Sequence, residues 1–322
     1  MKPSAGTALS DLPVGSGWDF GGFAYGLEPL LLPHAGAPEA AGDHDPASAS
    51  LVDARAATCR RIRMLGERGV LAPGVGRCDA LDEMYWFRWI TGHQVCFVIW
   101  RLMAQLLGDV RQGRRAPDTT TEPLSRYISG YSAMLLYTGS CSREVYHTVI
   151  RPSMRLRHRG FSGTWAPDYR PVRDVFRGRQ AAVREAGDGA LLDALRLHSL
   201  VHDGVAAKLV PDGRSLLHQA STRGLNPRLT SMIYDSYFMT LRAPVARHEV
   251  VAQLLRRLVA IAQDIAANGL YTSEDRGERP AELRAAEVVA CENSLVDILF
   301  EVAGSACEQI SDPLTLTEAR TP

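Results

Sequence analysis

One stretch constrains the fold more than any other: "DEMYWFRWITGHQVCFVIWRLMAQLL", Asp82 to Leu107. In helical steps, Trp86, Ile90, His93, Phe97, Trp100, Ala104 and Leu107 fall on one stripe, because residues three and four apart share a helix face. The stripe is aromatic and apolar, so it must face a core, and it carries His93 inward. Two readings of that histidine stand side by side. It is a core imidazole satisfied by Gln94 or a backbone carbonyl, or it is a functional group turned toward an interior ligand.

The same periodicity recurs over Ala54 to Gly69, Glu122 to Tyr137, Leu191 to Leu209, Ala246 to Ala267 and Ala281 to Ile310, with few alternating runs to compete. Proline and glycine punctuate the gaps at "APGVGR", "GRRAPD", "FSGTWAPDYRP", "VPDGRS" and "RAPVARH". The expectation is an all-α, bundle-like single domain over residues 51–322. An irregular, arginine-rich middle runs from about Tyr146 to Arg184, and an irregular arm, residues 1–50, is too rich in Gly, Ala, Pro and Ser to bury much. Facing helices of a bundle are places where cofactors are held.

Charge narrows the partners. Basic and acidic residues balance at 36 each, and the pI is near 7.1, so nothing suggests nucleic acid or an anionic membrane. A small-molecule ligand is the better expectation. The six cysteines are scattered without a CxxC pair, which predicts free thiols. The N-terminus lacks the charged and apolar regions of a signal peptide, and no run of about 18 apolar residues occurs, so a cytoplasmic protein is expected.

A second helix carries two histidines. In "LLDALRLHSLVHDGVAAKLV" a common face joins Leu191, Leu195, His198, His202, Val205 and Leu209, with Asp193 and Arg196 turned away. His198 and His202 have the i, i+4 spacing of a metal chelate but lack the glutamate of an HExxH motif. Haem iron needs only one neutral imidazole projecting from a rigid helix into an apolar slot, and either histidine offers one.

Three fragments together resemble a known family. Asp82 and Glu83, then His93-Gln94, Trp100 and Met103, resemble the distal-histidine helix of tryptophan 2,3-dioxygenase. "HDGVAAKLVPDG" resembles its proximal-histidine segment, with Val205-Ala206 as the small apolar pair, Lys208 as the base, Val210 as the aliphatic residue and "PDG" as the turn. Gly160-Phe161-Ser162-Gly163 followed by Tyr169-Arg170 is similar to the segment that holds the substrate carboxylate. The short "PDGRS" replaces that enzyme's glycine- and threonine-rich loop. In its length, its "GHQ" helix and its "FSGTWAPDY" loop the chain is more similar to the haem-dependent L-tyrosine 3-hydroxylases of antibiotic biosynthesis, which belong to the same haem-dependent aromatic oxygenase superfamily.

That resemblance implies a set of roles. Haem b would be bound non-covalently, since the segment around Cys291 and Cys307 lacks the His-x-x-x-Cys of a related 3-methyltyrosine hydroxylase. His202 would be the axial ligand, with His198 in reserve, and Trp100 would line the haem. His93 would be the distal catalytic histidine, with a pKa near neutrality. Arg170, or next to it Arg173, would bind the carboxylate, beside Ser162, Tyr169 and Phe97. The reaction would convert L-tyrosine to L-DOPA with hydrogen peroxide, or with dioxygen and a reductant, in a homodimer. The alternative is a haem dioxygenase or peroxygenase acting on an indole such as L-tryptophan.

Overall fold

The computed structural model of the protein describes residues 26–37, 81–179, 189–210, 226–271 and 279–311. The expected helix over Ala54 to Gly69, Cys59, Cys78 and the "PDG" turn lie outside them. The long apolar stretch forms α1 (Leu81–Arg111), with Asp82 and Glu83 in the first turn and Arg111 in the last, where each charge complements the helix dipole. It packs along α2 (Asp118–Thr138), which carries Pro123 in its second turn, where the ring leaves the Thr119 carbonyl without its i→i+4 donor. A short π-helical turn, Tyr146–Ile150, leads into α3 (Arg151–Arg157). Then follow α4 (Gly189–Leu209), α5 (Pro227–Tyr237), α6 (Arg247–Asn268), α7 (Ala286–Asn293) and α8 (Leu295–Ser311). Among the described residues the architecture is all-α with one short sheet, and no described helix is long and apolar enough to cross a membrane.

Three expectations need correction. The C-terminal helix is not continuous from Ala281 to Ile310. A 3-10 turn (Glu282–Arg284) precedes α7, and the chain breaks at Ser294 before α8. Asn293 and Ser294 are residues that compete with the helical backbone for hydrogen bonds. The middle region is more regular than expected, since the π turn, α3 and two 3-10 turns lie within it. The N-terminal arm also enters the core: Leu30–Leu32 form β1, which pairs in parallel with β2 (Thr240–Arg242), and Leu30 and Leu32 are fully buried.

Buried polar side chains hold these elements in register. Arg88 on α1 is sealed from water and donates from Nε to Asp264 Oδ2 on α6 at 2.6 Å, from Nη1 to Ser140 Oγ, and to the carbonyls of Gly269 and Leu270 beyond the end of α6. Asp264 also accepts from Tyr137 Oη at 2.8 Å, so α1, α2 and α6 meet on one carboxylate. A second network starts at Arg257, which donates to Gln94 Oε1 and to the Glu28 carbonyl. Gln94 in turn donates to the carbonyls of Glu28 and Phe238, while Gln253 exchanges two hydrogen bonds with the Leu31 backbone. Close helix approach is set by glycine. A Cβ on Gly130 would lie 2.3 Å from Val302, and one on Gly92 would lie 2.4 Å from Thr138.

Removing one partner of a sealed ion pair strands the other charge, at a cost of about 3–5 kcal/mol. Asp264→Ala is therefore expected to lower the unfolding free energy by that amount in urea titration, and Arg88→Met/Asp264→Leu to recover a large part of it. Equal losses in the single and double variants would contradict the stranded-charge account.

Candidate active site

The stripe of α1 places His93 as its periodicity requires: the ring is half-buried, between Trp89 at 4.2 Å and Phe238 at 4.5 Å, nearly parallel to the latter at 19°. Its partner is not Gln94, which the Arg257 network takes, but the carbonyl of Trp89, 2.6 Å from Nδ1. A carbonyl only accepts, so the neutral ring carries its proton on Nδ1 and a free lone pair on Nε2. Enclosure among aromatic rings pushes the pKa down to about 4, against the hydrogen bond to Trp89, which raises it. The expectation of a pKa near neutrality is thus corrected: the imidazole is neutral across the physiological range.

From His93 an aromatic cluster runs through the molecule. Phe97 meets Phe238 edge-on at 5.4 Å and Trp100 at 5.7 Å, and Trp100 lies 5.1 Å from Tyr131 and 5.0 Å from Tyr169. Tyr131 stacks on His198 at 4.7 Å, with Phe176 on another side of that imidazole at 4.5 Å. Burial, with a smaller contribution from His202, pushes His198 down to about 3. Among the described residues, Trp100 Nε1 and His198 Nδ1 have no hydrogen-bond partner. The cluster gathers His93, Phe97, Trp100, Tyr169 and His198.

His202 and Arg170 stand outside it. His202 does not share the inward face of His198: it is exposed, while Leu191, Ala194, His198, Val201 and Gly204 are buried. Its Nδ1 donates to the Asp203 carboxylate at 3.1 Å, leaving the Nε2 lone pair outward. Arg170, exposed, donates to the Pro227 carbonyl and to Ser231 Oγ at the start of α5. Arg173 is exposed as well. Ser162 is buried, and its Oγ accepts from the Thr164 backbone, capping the 3-10 turn that carries Trp165.

Two features escaped the sequence reading. Phe238, at the end of α5, forms one face of the His93 cage although nothing in "YDSYFMTLR" singles it out. Arg242 on β2 is held by Asp168 at 2.6 Å and by Asp235 at 2.7 Å, and also donates to the Pro33 carbonyl. This triad fixes the loop of Tyr169 against β2 and α5. The described cysteines, Cys96, Cys141, Cys291 and Cys307, are all buried.

The enclosed imidazoles of His93 and His198 make stability pH-dependent. Each folded-state pKa lies below the ordinary 6.5, so between pH 6.5 and 4 the unfolded chain binds more protons. Their contribution is complete above pH 6.5 and falls by about 1.4 kcal/mol per pH unit per histidine as pH drops. Urea unfolding at pH 7 and pH 5 is expected to show this loss in the wild-type protein and a smaller one in His198→Phe. An identical pH dependence in both would place the titration elsewhere.

Among curated proteins no match is found. Residues 47–198 match the family model described as SfmD 3-methyl-L-tyrosine peroxygenase, so the part of the chain that holds His93, Phe97, Trp100, Ser162, Tyr169, Arg170 and His198 is similar to a peroxygenase family.

Proposed function

We propose that the protein is a haem-dependent peroxygenase that hydroxylates the ring of L-tyrosine, or of a 3-substituted tyrosine, next to the phenol carbon. The observation that carries this reading is the state of His93: a neutral imidazole in an aromatic cage, its proton committed to Trp89 and its Nε2 free. In the overall reaction one oxygen of hydrogen peroxide replaces a ring C–H by C–OH and the other leaves as water. That change requires a proton to move between two oxygens. A neutral imidazole with a low pKa accepts the proton briefly and returns it, and its Nε2 also accepts a hydrogen bond from the phenol.

Haem b, when bound, supplies the oxygen chemistry. His202 is assigned the iron because the carboxylate of Asp203 on Nδ1 fixes the tautomer that leaves Nε2 as a ligand, the pairing common behind metal-bound histidines. His198, the reserve, has close ring contacts with Tyr131 and Phe176. Non-covalent attachment agrees with Cys291 and Cys307 being buried and with burial holding the Cys291 thiol protonated, its pKa pushed up to about 12. Trp100 would line the haem, and Phe97 and Tyr169 would wall the substrate ring. Arg170 is assigned the substrate carboxylate, with Ser162 shaping the adjoining turn. The present partners of Arg170 are neutral oxygens, whereas two carboxylates saturate Arg242. Hydrogen peroxide as oxidant, and the choice between L-tyrosine and its 3-methyl derivative, follow the likeness to the peroxygenase.

Protein expressed with a haem precursor is expected to show a Soret band that shifts with L-tyrosine, and to give with peroxide a product one oxygen heavier. His202→Ala should lose the band, while His93→Phe should keep it and lose turnover by a factor of about 10² or more, the usual scale for a proton-transfer group. Arg170→Ala should raise KM for L-tyrosine far more than for tyramine, which has no carboxylate. A colourless wild-type protein would end this reading, and haem retention in His202→Ala would move the ligand to His198.

A further inference from the structure

We propose that Phe238 is a positioning residue for His93: its ring, set by the turn at Met239 and by the hydrogen bond from Gln94, fixes the imidazole plane and so the direction of Nε2. This rests on the reading of His93 as the proton-relaying group. A histidine ring has two soft torsions, and the outer one is broad. The bond from Nδ1 to the Trp89 carbonyl restrains the ring along one edge only. The face is restrained by the stacked Phe238, at 4.5 Å and 19°, whereas Trp89 lies tilted at 52°.

The backbone around Phe238 is built to hold that ring. Phe238 ends α5, with its N–H bonded to the Tyr234 carbonyl. The next residue, Met239, has φ of 52°, the single non-glycine residue with positive φ among those described. A side chain with a Cβ is disfavoured there, and such conformations persist where their surroundings impose them. Here the surroundings are buried and specific. The Phe238 carbonyl accepts from Gln94 Nε2 at 2.9 Å, the Met239 carbonyl accepts from the Leu30 backbone at 2.9 Å, and Arg257 fixes the other end of the Gln94 amide. Gln94 follows His93 directly in α1. One amide therefore ties the helix that carries the imidazole to the turn that carries the ring stacked on it.

Other groups around the imidazole do not take over this role. Tyr146 packs on Trp89, and Tyr234 and Tyr237 pack on Phe238; burial holds all three phenols protonated. On the α6 side Arg257 is turned to Gln94 and Glu28. The titration of His93 is governed by enclosure and by Trp89, with no charged side chain contributing. Opening the Phe238 face should thus register directly in the imidazole.

The test uses the full-length protein labelled with 15N-histidine, its His93 signals assigned with His93→Gln. Wild type and Phe238→Tyr are expected to show the Nδ1-protonated tautomer and the same low titration midpoint. Phe238→Leu should raise the midpoint by about one pH unit or more and mix the tautomers, since solvent then reaches the ring. In the haem-loaded enzyme the acidic limb of the kcat profile should move by the same amount, with KM for L-tyrosine changing less. Phe300→Leu, an aromatic truncation in a separate core cluster, should leave the His93 signals in place. If Phe238→Leu does not fold, Met239→Gly, which keeps both rings but frees the turn, should mix the tautomers. Wild-type His93 signals in Phe238→Leu or, failing that variant, in Met239→Gly would overturn the proposal, as would an equal shift in Phe300→Leu. An enzyme without turnover but with the expected imidazole shifts would instead overturn the proposed function and leave the positioning intact.

Discussion

The bond between Arg88 and Asp264 is the constraint around which the bundle is arranged. Both groups lie beyond the reach of water, and burial by itself lowers the pKa of the arginine; the nearby carboxylate and hydrogen bonds outweigh that tendency, and its pKa rises. Such a pair tolerates little displacement, because every donor of a fixed planar fork is already aimed. Arg88 lies five residues before His93 on α1, and Asp264 lies seven after Arg257 on α6. The two buried networks therefore clamp the same pair of helices at two levels, with the imidazole between them in sequence. The histidine is presented from a rigid segment held on both sides.

The aromatic cluster extends that rigidity into a surface suited to a flat ligand. Phe97, Trp100, Tyr131, Tyr169 and Phe238 come from α1, α2, the loop after α3 and the end of α5, so no single element defines it. Tilted and edge-on arrangements predominate, as the quadrupoles of the rings favour. The nearly parallel stack of His93 on Phe238 departs from that pattern, which is why Phe238 matters more to the imidazole than its neighbours do.

Much of this was legible in the sequence, and the rest was not for identifiable reasons. The stripe through His93 could be read because α1 is long and its period uniform; α2, α4 and α6 followed from the same signal within a few residues. Leu30–Leu32 could not be placed, because a three-residue strand has too few alternations to count and its partner lies about 210 positions on. Helix α5 was missed although Asn226-Pro227 is a recognisable start, the Asn226 side chain accepting from Arg228 N and proline taking the first turn. At the site, periodicity could not separate His198 from His202: it assigns both to one face, and only packing against Tyr131 and Phe176 shows where that face ends. Phe238 was hidden because its role comes from a fold in the backbone at Met239.

The pairing of β1 with β2 also bears on how the chain comes to be folded. Its two strands, and the glutamine and arginine of α6 that bond to the backbone of residues 28 to 31, are supplied at opposite ends of synthesis. A chain emerging from the ribosome carries Leu30–Leu32 and Gln94 long before it carries their partners Thr240–Arg242 and Arg257. Contacts so far apart in sequence are slow to close. The cage around His93 is thus a late product of folding, assembled only when the first and last thirds of the protein meet.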